Sequence, residues 1–234
     1  MEMKWKWAKS KPPLHTAGTP PLVARIGISV SIGPTWPRAI LTALAARPIC
    51  GARYTDLRKA ELSEIASSVQ RRFEAIEELT TQLRQHLEEA NRLAGKVFGQ
   101  PRTVTRLLVA STSLITELWA GFDNLAQFYL VFLKHIIRKR ISGTQAFGDV
   151  AKFSGDPAAV TALSGWRDAV LHQGALSPIL WGPDASGGKQ SEFELSVPGS
   201  KAISFDDLVR CGQLLGKALK ALESDLIDHV NRQA

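Results

Sequence analysis

Cysteine is scarce in this 234-residue chain, which contains only Cys50 and Cys211. So few cysteines exclude a disulfide-rich secreted scaffold, and their separation matches no metal-binding pattern. Free thiols are typical of a reducing compartment, so we expect a cytoplasmic protein. The sequence also has no motif that calls for a cofactor, and we expect neither a cofactor nor a metal.

Uninterrupted apolar runs are missing as well. The most apolar stretch, 118–137, contains Asp123, Asn124, Gln127 and Lys134. A bilayer core strongly disfavours charged groups, so this stretch is not expected to span a membrane. We predict instead that it is the buried helix of a bundle, and we expect no membrane partner.

Acidic residues are almost absent from the first 55 positions, which hold eight Lys or Arg, one acid, Glu2, and seven of the twelve prolines. This composition disfavours a packed element. We interpret 1–55 as a basic, Pro- and Trp-rich leader. It is a disordered arm, an organellar transit peptide, or sequence upstream of the true start. The remaining domain, 56–234, has 21 bases and 21 acids, so it offers no general attraction to nucleic acid.

Two long stretches of this domain have helical periodicity. Apolar residues recur three or four positions apart from 57 to 97 and from 103 to about 140, with Gly99-Gln100-Pro101 between them. The pattern predicts two long antiparallel helices. The predicted core residues are Leu62, Ile65, Val69, Phe73, Ile76, Leu79, Leu83, Leu87, Ala90 and Val97 on the first helix, and Leu107, Leu108, Leu114, Ile115, Leu118, Phe122, Leu125, Tyr129, Phe132 and Ile136 on the second.

Shorter helices follow the two long ones. Residues 145–153 are long enough for one short helix. The next helix has strong boundary signals, because Asp156 can cap its start, Pro157 suits its first position, and Gly174 suits its end.

The C-terminal part combines a hairpin with a final helix. Two short strands are predicted at 178–181 and 192–197, and Ser204 with Asp207 forms a capping-box pattern ahead of the last helix. The fold class is therefore all-α. It is a helical bundle of two long antiparallel helices plus two or three shorter ones, with a small β-hairpin insertion near 178–197.

Three residues suited to phosphate chemistry lie close together near the predicted end of the fourth helix. Arg167 can hold a phosphate, Asp168 is an acid, and His172 titrates near neutral pH. In an α-helix, Asp168 and His172 share a face, whereas Arg167 is about 140° from His172 at ~100° per residue. Asp168 could therefore orient His172, with Arg167 reaching in. In the alternative, Arg167 and Asp168 form a solvated ion pair and His172 only stabilises the helix end.

The arrangement Arg167-Asp168-x-x-x-His172, in a helix behind two long antiparallel ones, resembles the HEPN family (higher eukaryotes and prokaryotes nucleotide-binding). That family has an arginine, a polar Asn, Asp or His, and then a histidine a few residues on. The resemblance covers residues 56 to 232. It implies a metal-independent endoribonuclease, either a toxin or a phage-defence protein. It also implies a homodimer in which the motifs of both subunits face one cleft.

The resemblance also implies roles and partners. Arg167 would hold the scissile phosphate of RNA, His172 would act as general base or acid, and Asp168 would fix the imidazole. A nucleotidyltransferase-like antitoxin is a further expected partner. On the second long helix, Glu117, Asp123 and Asn124 are candidate supporting residues, because one of them could receive Arg167.

Two other functions remain open from the sequence. The first is a non-catalytic helical module of the same type that binds a nucleotide or another ligand, or only dimerises. The second is a coiled-coil adaptor built on the helix from Leu57 to Val97.

Overall fold

A computed structural model describes residues 36–93, 101–173, 176–181, 192–196 and 201–233; for a few of these, His172 among them, it describes the backbone alone. Contacts divide the chain into two compact units. The first unit includes Glu78–Ile115 and Gly165–Arg210, and the second includes 36–77, Thr116–Ser164 and 211–233. Each unit is described by itself.

Two short helices precede the long ones, α1 (Arg38–Ala45) and α2 (Pro48–Arg53). The composition of the leader did not indicate them. They are nonetheless packed in the second unit, where Ile40, Leu44 and Cys50 are almost completely buried. Trp36 is also buried, and its ring lies 5.1 Å from that of Phe128. Part of the segment assigned to the leader is therefore folded, and the division of the chain at residue 56 stays a prediction.

The two long helices are α3 (Asp56–Leu93) and α4 (Pro101–Phe132). In the second unit Arg72 contacts Glu117 and Ser68 contacts Asn124, so positions on α4 rise as those on α3 fall. The helices are therefore antiparallel, as predicted. The predicted stripe on α4 supplies the core, since Leu118, Phe122, Leu125 and Phe132 are each at most 1% exposed.

Helix α4 does not continue to residue 140 as predicted. It passes into a π-helical turn at Leu133–Ile137, and Arg138 then takes a left-handed conformation with φ of 66°. The backbone N–H of Lys139 donates to the Leu133 carbonyl, which closes the turn. The left-handed residue ends the helix before the run of three cations at 138–140.

Helices α5 (Gly143–Phe153) and α6 (Pro157–Asp168) follow. Ser142 caps α5 by accepting from the Gln145 N–H, a cap that was not predicted. Asp156 caps α6 by accepting from the Ala159 N–H at 3.1 Å, as predicted. The prediction that this helix continues to Gly174 in α-helical form is wrong. A second π-helical turn begins at Ala169 and includes Gln173, and Gly174 lies outside the described residues.

Strands β1 (Ser177–Trp181) and β2 (Glu192–Ser196) form the predicted antiparallel hairpin. A two-residue strand, β3 (Ile203–Ser204), pairs with β2 and was not predicted. Pro178 is tolerated because β1 is an edge strand of the order β1-β2-β3.

The last helix is α7 (Phe205–Asn231), and its start has the predicted capping box. Asp207 N–H donates to the Ser204 hydroxyl at 3.1 Å, and the Asp207 carboxylate accepts from the Ser204 N–H at 2.9 Å. In the second unit α7 packs tightly on α4, because a methyl group at Gly121 would lie 2.6 Å from Leu215 Cδ2. The all-α fold class with a small hairpin is confirmed.

The membrane question raised by 118–137 has a structural answer. No helix among the described residues is both long enough and apolar enough to cross a bilayer. Most apolar side chains of this stretch are buried in the second unit, as predicted for a bundle helix.

Candidate functional site

The predicted site lies where α6 ends and the π turn Ala169–Gln173 begins. Arg167 and Asp168 are the last two residues of α6, and Ala169, directly after them, is 3% exposed. A buried residue therefore holds the start of the turn, while the two charged residues stay accessible. His172 is a backbone position within the turn, and its side chain lies outside the described residues.

Arg167 and Asp168 form an ion pair. Arg167 Nη1 donates to Asp168 Oδ1 at 2.9 Å, and the two side chains are 28% and 53% exposed. This is the solvated pair that the sequence left as an alternative to an Asp168–His172 contact. An ion pair this exposed contributes about 1 kcal/mol or less to stability. The ion pair therefore orients Arg167, while its own contribution to the stability of the fold is small.

The π turn changes the geometry expected for the motif. In a π-helix the hydrogen bonds join residues five apart, so such residues take the relation that residues four apart have in an α-helix. Arg167 and His172 are five residues apart. Only Asp168 between them belongs to α6, and residues 169 to 172 belong to the π turn. The backbone at position 172 is therefore turned nearer to the face of Arg167 than the 140° of a regular α-helix.

The three supporting candidates belong to the second unit, whereas Arg167 belongs to the first. Glu117 accepts from Arg72 Nη1 with both carboxylate oxygens, at 2.9 and 2.8 Å. Asn124 donates to the Ser68 hydroxyl at 3.0 Å, and partly exposed Asp123 also has an interaction partner. These contacts explain how polar groups are tolerated on α4. That one of the three receives Arg167 stays a prediction.

A second cluster of polar side chains joins α4, α7 and the segment after the first π turn. This cluster was not predicted from the sequence. Tyr129 donates to Asp225 Oδ2 at 2.8 Å. His229 Nδ1 lies 3.0 Å from the Asp225 carbonyl oxygen, and its Nε2 lies 3.3 Å from Lys139 Nζ. A carbonyl can only accept and an ammonium can only donate, so the contacts fit a neutral imidazole protonated at Nδ1. The i, i+4 spacing of Asp225 and His229 was the available signal.

Tyr129 is the most perturbed member of this group. Burial raises the pKa of the Tyr129 hydroxyl well above its ordinary value, and the hydrogen bond to Asp225 raises it further. The phenol therefore stays protonated and donates to the carboxylate. A protonated, 3% exposed phenol is suited to holding two helices together rather than to attacking a substrate.

Two further sources of information on the site are clusters of metal-binding side chains and similarity to known proteins. Among the side chains that the structure describes, no three of His, Cys, Asp or Glu gather in a group that could hold a metal ion. No protein-family model, curated protein or solved structure matches the chain.

Proposed function

We propose that this chain is a metal-independent endoribonuclease of the HEPN type, acting as a toxin or in phage defence. One observation supports it most. Arg167 and Asp168 are accessible at the point where α6 passes into a π turn that includes position 172. π turns inside helices occur often at functional sites. A buried Ala169 beneath accessible charges gives a fixed base for a phosphate-binding arginine.

The chemistry assigned to the motif is transesterification of RNA. The ribose 2′-oxygen attacks phosphorus and the bond from phosphorus to the 5′-oxygen breaks, which leaves a 2′,3′-cyclic phosphate and a 5′-hydroxyl. One His172 takes the 2′-hydroxyl proton, and a second His172 gives a proton to the leaving oxygen. Arg167 stabilises the charge that develops on the phosphoryl oxygens. Its guanidinium has five N–H donors, so a phosphate can bind while Asp168 stays hydrogen-bonded.

A homodimer supplies the second histidine, because a two-fold axis brings the same surface of both subunits together. Leu171 lies inside the motif and is 50% exposed. A large apolar side chain at this place is suited to burial against a second copy. The proposed cleft therefore has one Arg167 and one His172 from each subunit.

Cleavage of RNA in EDTA tests the catalytic roles. Arg167→Ala and His172→Ala should each lower the cleavage rate by about 10²–10⁴-fold, since each removes a phosphate ligand or a proton-transfer group. Arg71→Ala and His86→Ala are matched controls on α3 and should cut as the wild type does. Cleavage that survives both motif variants, or that needs a metal, would refute the mechanism.

Mixed dimers test the shared cleft. If both copies of His172 are needed, a dimer with one His172→Ala subunit is inactive. Equal, fully exchanged amounts of wild-type and His172→Ala chains should then give about a quarter of the wild-type rate. About half the rate would mean that each subunit acts alone and would refute the shared cleft.

The biological role has its own test. Expression of the wild-type chain should arrest the growth of its host, whereas Arg167→Ala should not. The proposed antitoxin is a nucleotidyltransferase-like protein, and co-expression of such a protein from a neighbouring gene should restore growth. Growth arrest by both the wild type and Arg167→Ala would contradict the toxin role.

The exposed ion pair itself favours a second candidate, a non-catalytic helical module. If Asp168 only neutralises Arg167, the motif binds a nucleotide or another ligand, or only dimerises, and cuts nothing. Wild-type chain that dimerises but leaves RNA intact in EDTA would favour this candidate. Asp168→Ala separates the two further, because it should lower the rate of a nuclease and leave a dimerisation module unaffected.

A further inference from the structure

His135, in the second unit, lies within a concentration of positive charge that the proposed mechanism does not use. We call this surface the basic pole and define it by Lys134, Arg138, Arg140 and Arg232 together with His135. These residues come from the end of α4, the segment that follows it, and the last residues after α7. The four cations are all exposed, and His135 is partly exposed.

Hydrogen bonds bring these segments together. Arg53, at the end of α2, donates to the Ile136 carbonyl at 2.9 Å and to Gln233 Oε1 at 3.3 Å. Lys139, beside Arg138 and Arg140, contacts His229 on α7. The C-terminal ends of α2, α4 and α7 therefore meet at one place in the second unit.

The cations that define the pole are not ion-paired with any carboxylate that the structure describes. The segment 124–148 has four cations and no Asp or Glu. Within the described part of the chain, no carboxylate oxygen lies within 4.0 Å of the side-chain nitrogens of Lys134, Arg138 or Arg140. The same holds for Arg232. The nearby Arg58 is different, because it is ion-paired with Glu61.

His135 reports how closely these charges converge. Burial lowers the pKa of His135, and the positive charge of Arg58 lowers it further. Lys134 and Arg138 act in the same direction, while Glu61 opposes them. Cations from α3, the π turn and the segment after it are therefore close enough to repel one imidazolium. A bound phosphate would relieve that repulsion.

We infer that the basic pole binds the phosphate backbone of RNA. The inference rests on the proposed function, since an RNA-cleaving chain whose 56–234 domain has equal numbers of bases and acids needs a local surface for phosphates. Three of the four cations are arginines, whose planar fork suits phosphate oxygens. The basic pole supplies that surface.

The distribution of apolar residues favours RNA over a lipid surface. Proteins that lie on membranes insert large apolar side chains beside their cations. Among the described residues of the second unit, the exposed large apolar side chains are Leu41, Ile49 and Leu57, and none is in 134–140 or 229–233. The segments 134–140 and 229–233 therefore present charge without such side chains.

Binding of a 2′-O-methyl RNA oligonucleotide tests the inference without cleavage, because this RNA lacks the attacking hydroxyl. The variant Lys134→Gln/Arg138→Gln/Arg140→Gln should bind at least about tenfold more weakly. Its plot of log affinity against log salt should be shallower by about 2, from ~0.7 for each lost phosphate contact on a single strand. Arg232→Gln alone should give a smaller loss in the same direction. Urea unfolding checks that each variant folds.

A control with the same charge change separates the pole from net charge. Arg71→Gln/Lys217→Gln/Lys220→Gln removes three exposed cations elsewhere in the second unit and should bind within about twofold of the wild type. Equal losses in the two triple variants, or no loss in the pole variant, would overturn the inference. So would a pole variant that loses binding to phosphatidylserine vesicles while its RNA affinity is unchanged.

The RNA-binding surface and the proposed nuclease can fail independently, and the experiments distinguish the two failures. If the pole variant loses RNA affinity but the wild type cuts no RNA in EDTA, the binding surface stands and the nuclease does not. If the wild type cuts RNA and the pole variant binds and cuts equally well, only the binding surface is wrong.

Discussion

Two of the described helices pass into five-residue π turns, and the two turns differ in what surrounds them. In the second unit, the turn Leu133–Ile137 after α4 buries Leu133, Ile136 and Ile137. Arg53 also binds the Ile136 carbonyl. In the first unit, the turn Ala169–Gln173 after α6 buries Ala169 but leaves Leu171 half exposed.

The difference indicates why each turn is present. A π turn is less favourable than continued α-helix, so it persists where something compensates for it. Packing and a charged hydrogen bond compensate at the first turn. At the second turn the described side chains include an exposed ion pair and a half-exposed leucine, each of which stabilises it little. We therefore assign the first turn to stability, and the functional role of the second turn stays a proposal.

The largest expected difference in stability is between matched substitutions in the two turns. Ile136→Ala should lower the free energy of unfolding by about 2–5 kcal/mol, because Ile136 is fully buried. Leu171→Ala should change it by less than about 0.5 kcal/mol, because Leu171 is 50% exposed. Urea unfolding at a concentration that keeps the chain monomeric measures both.

Equal destabilisation by the two substitutions would remove the distinction between the turns. Leu171→Ala should instead weaken the proposed dimer, which analytical ultracentrifugation would detect. A dimer of unchanged affinity would place the interface away from the motif.

A smaller loss of stability is expected when the Arg53 guanidinium, which donates to the Ile136 carbonyl in the first turn, is removed. Arg53→Ala should cost about 1–3 kcal/mol, because it leaves the Ile136 carbonyl without its charged donor. Arg38→Ala, on the exposed side of α1, is the control and should be close to neutral. Thermal unfolding of the two variants measures the difference. Indistinguishable curves would mean that α2 does not stabilise the turn.

The smallest expected effect is the pH dependence of stability that His135 causes. Its pKa in the folded chain is below the ordinary value of 6.5, so the unfolded chain binds more protons as pH falls through 6.5. Stability from the neutral imidazole is therefore full above pH 6.5 and is lost on acidification below it. The wild type should lose more stability than His135→Gln between about pH 7.5 and pH 5.5. Parallel pH profiles of unfolding would contradict this sign.

Much of the fold could be predicted from the sequence, because periodicity and capping are local signals. The start of α3 at Asp56, the start of α6 at Pro157 and the capping box at Ser204 all follow from residue types within a few positions, while Val97, predicted on α3, lies outside the described residues. The packing of Trp36 on Phe128 could not be predicted in this way. It depends on a contact between residues 92 positions apart, in a segment whose prolines disfavour regular structure.

The candidate site was predictable in its residues but not in its geometry. Arg167, Asp168 and His172 are visible in the sequence, whereas the π turn that changes their relation has no residue signature and depends on tertiary contacts. The contacts of Glu117 with Arg72 and of Asn124 with Ser68 were equally hidden, since they depend on how α3 packs on α4.

The most direct test of the proposed nuclease is the identity of the ends it produces. Wild-type chain is incubated in EDTA with an RNA oligonucleotide and with the same sequence as DNA, and the products are analysed by mass spectrometry. We predict 2′,3′-cyclic phosphate and 5′-hydroxyl ends from the RNA, intact DNA, and no cleavage by His172→Ala. Intact RNA, or cleavage of the DNA as well, would contradict the assignment of Arg167 and His172 to RNA cleavage.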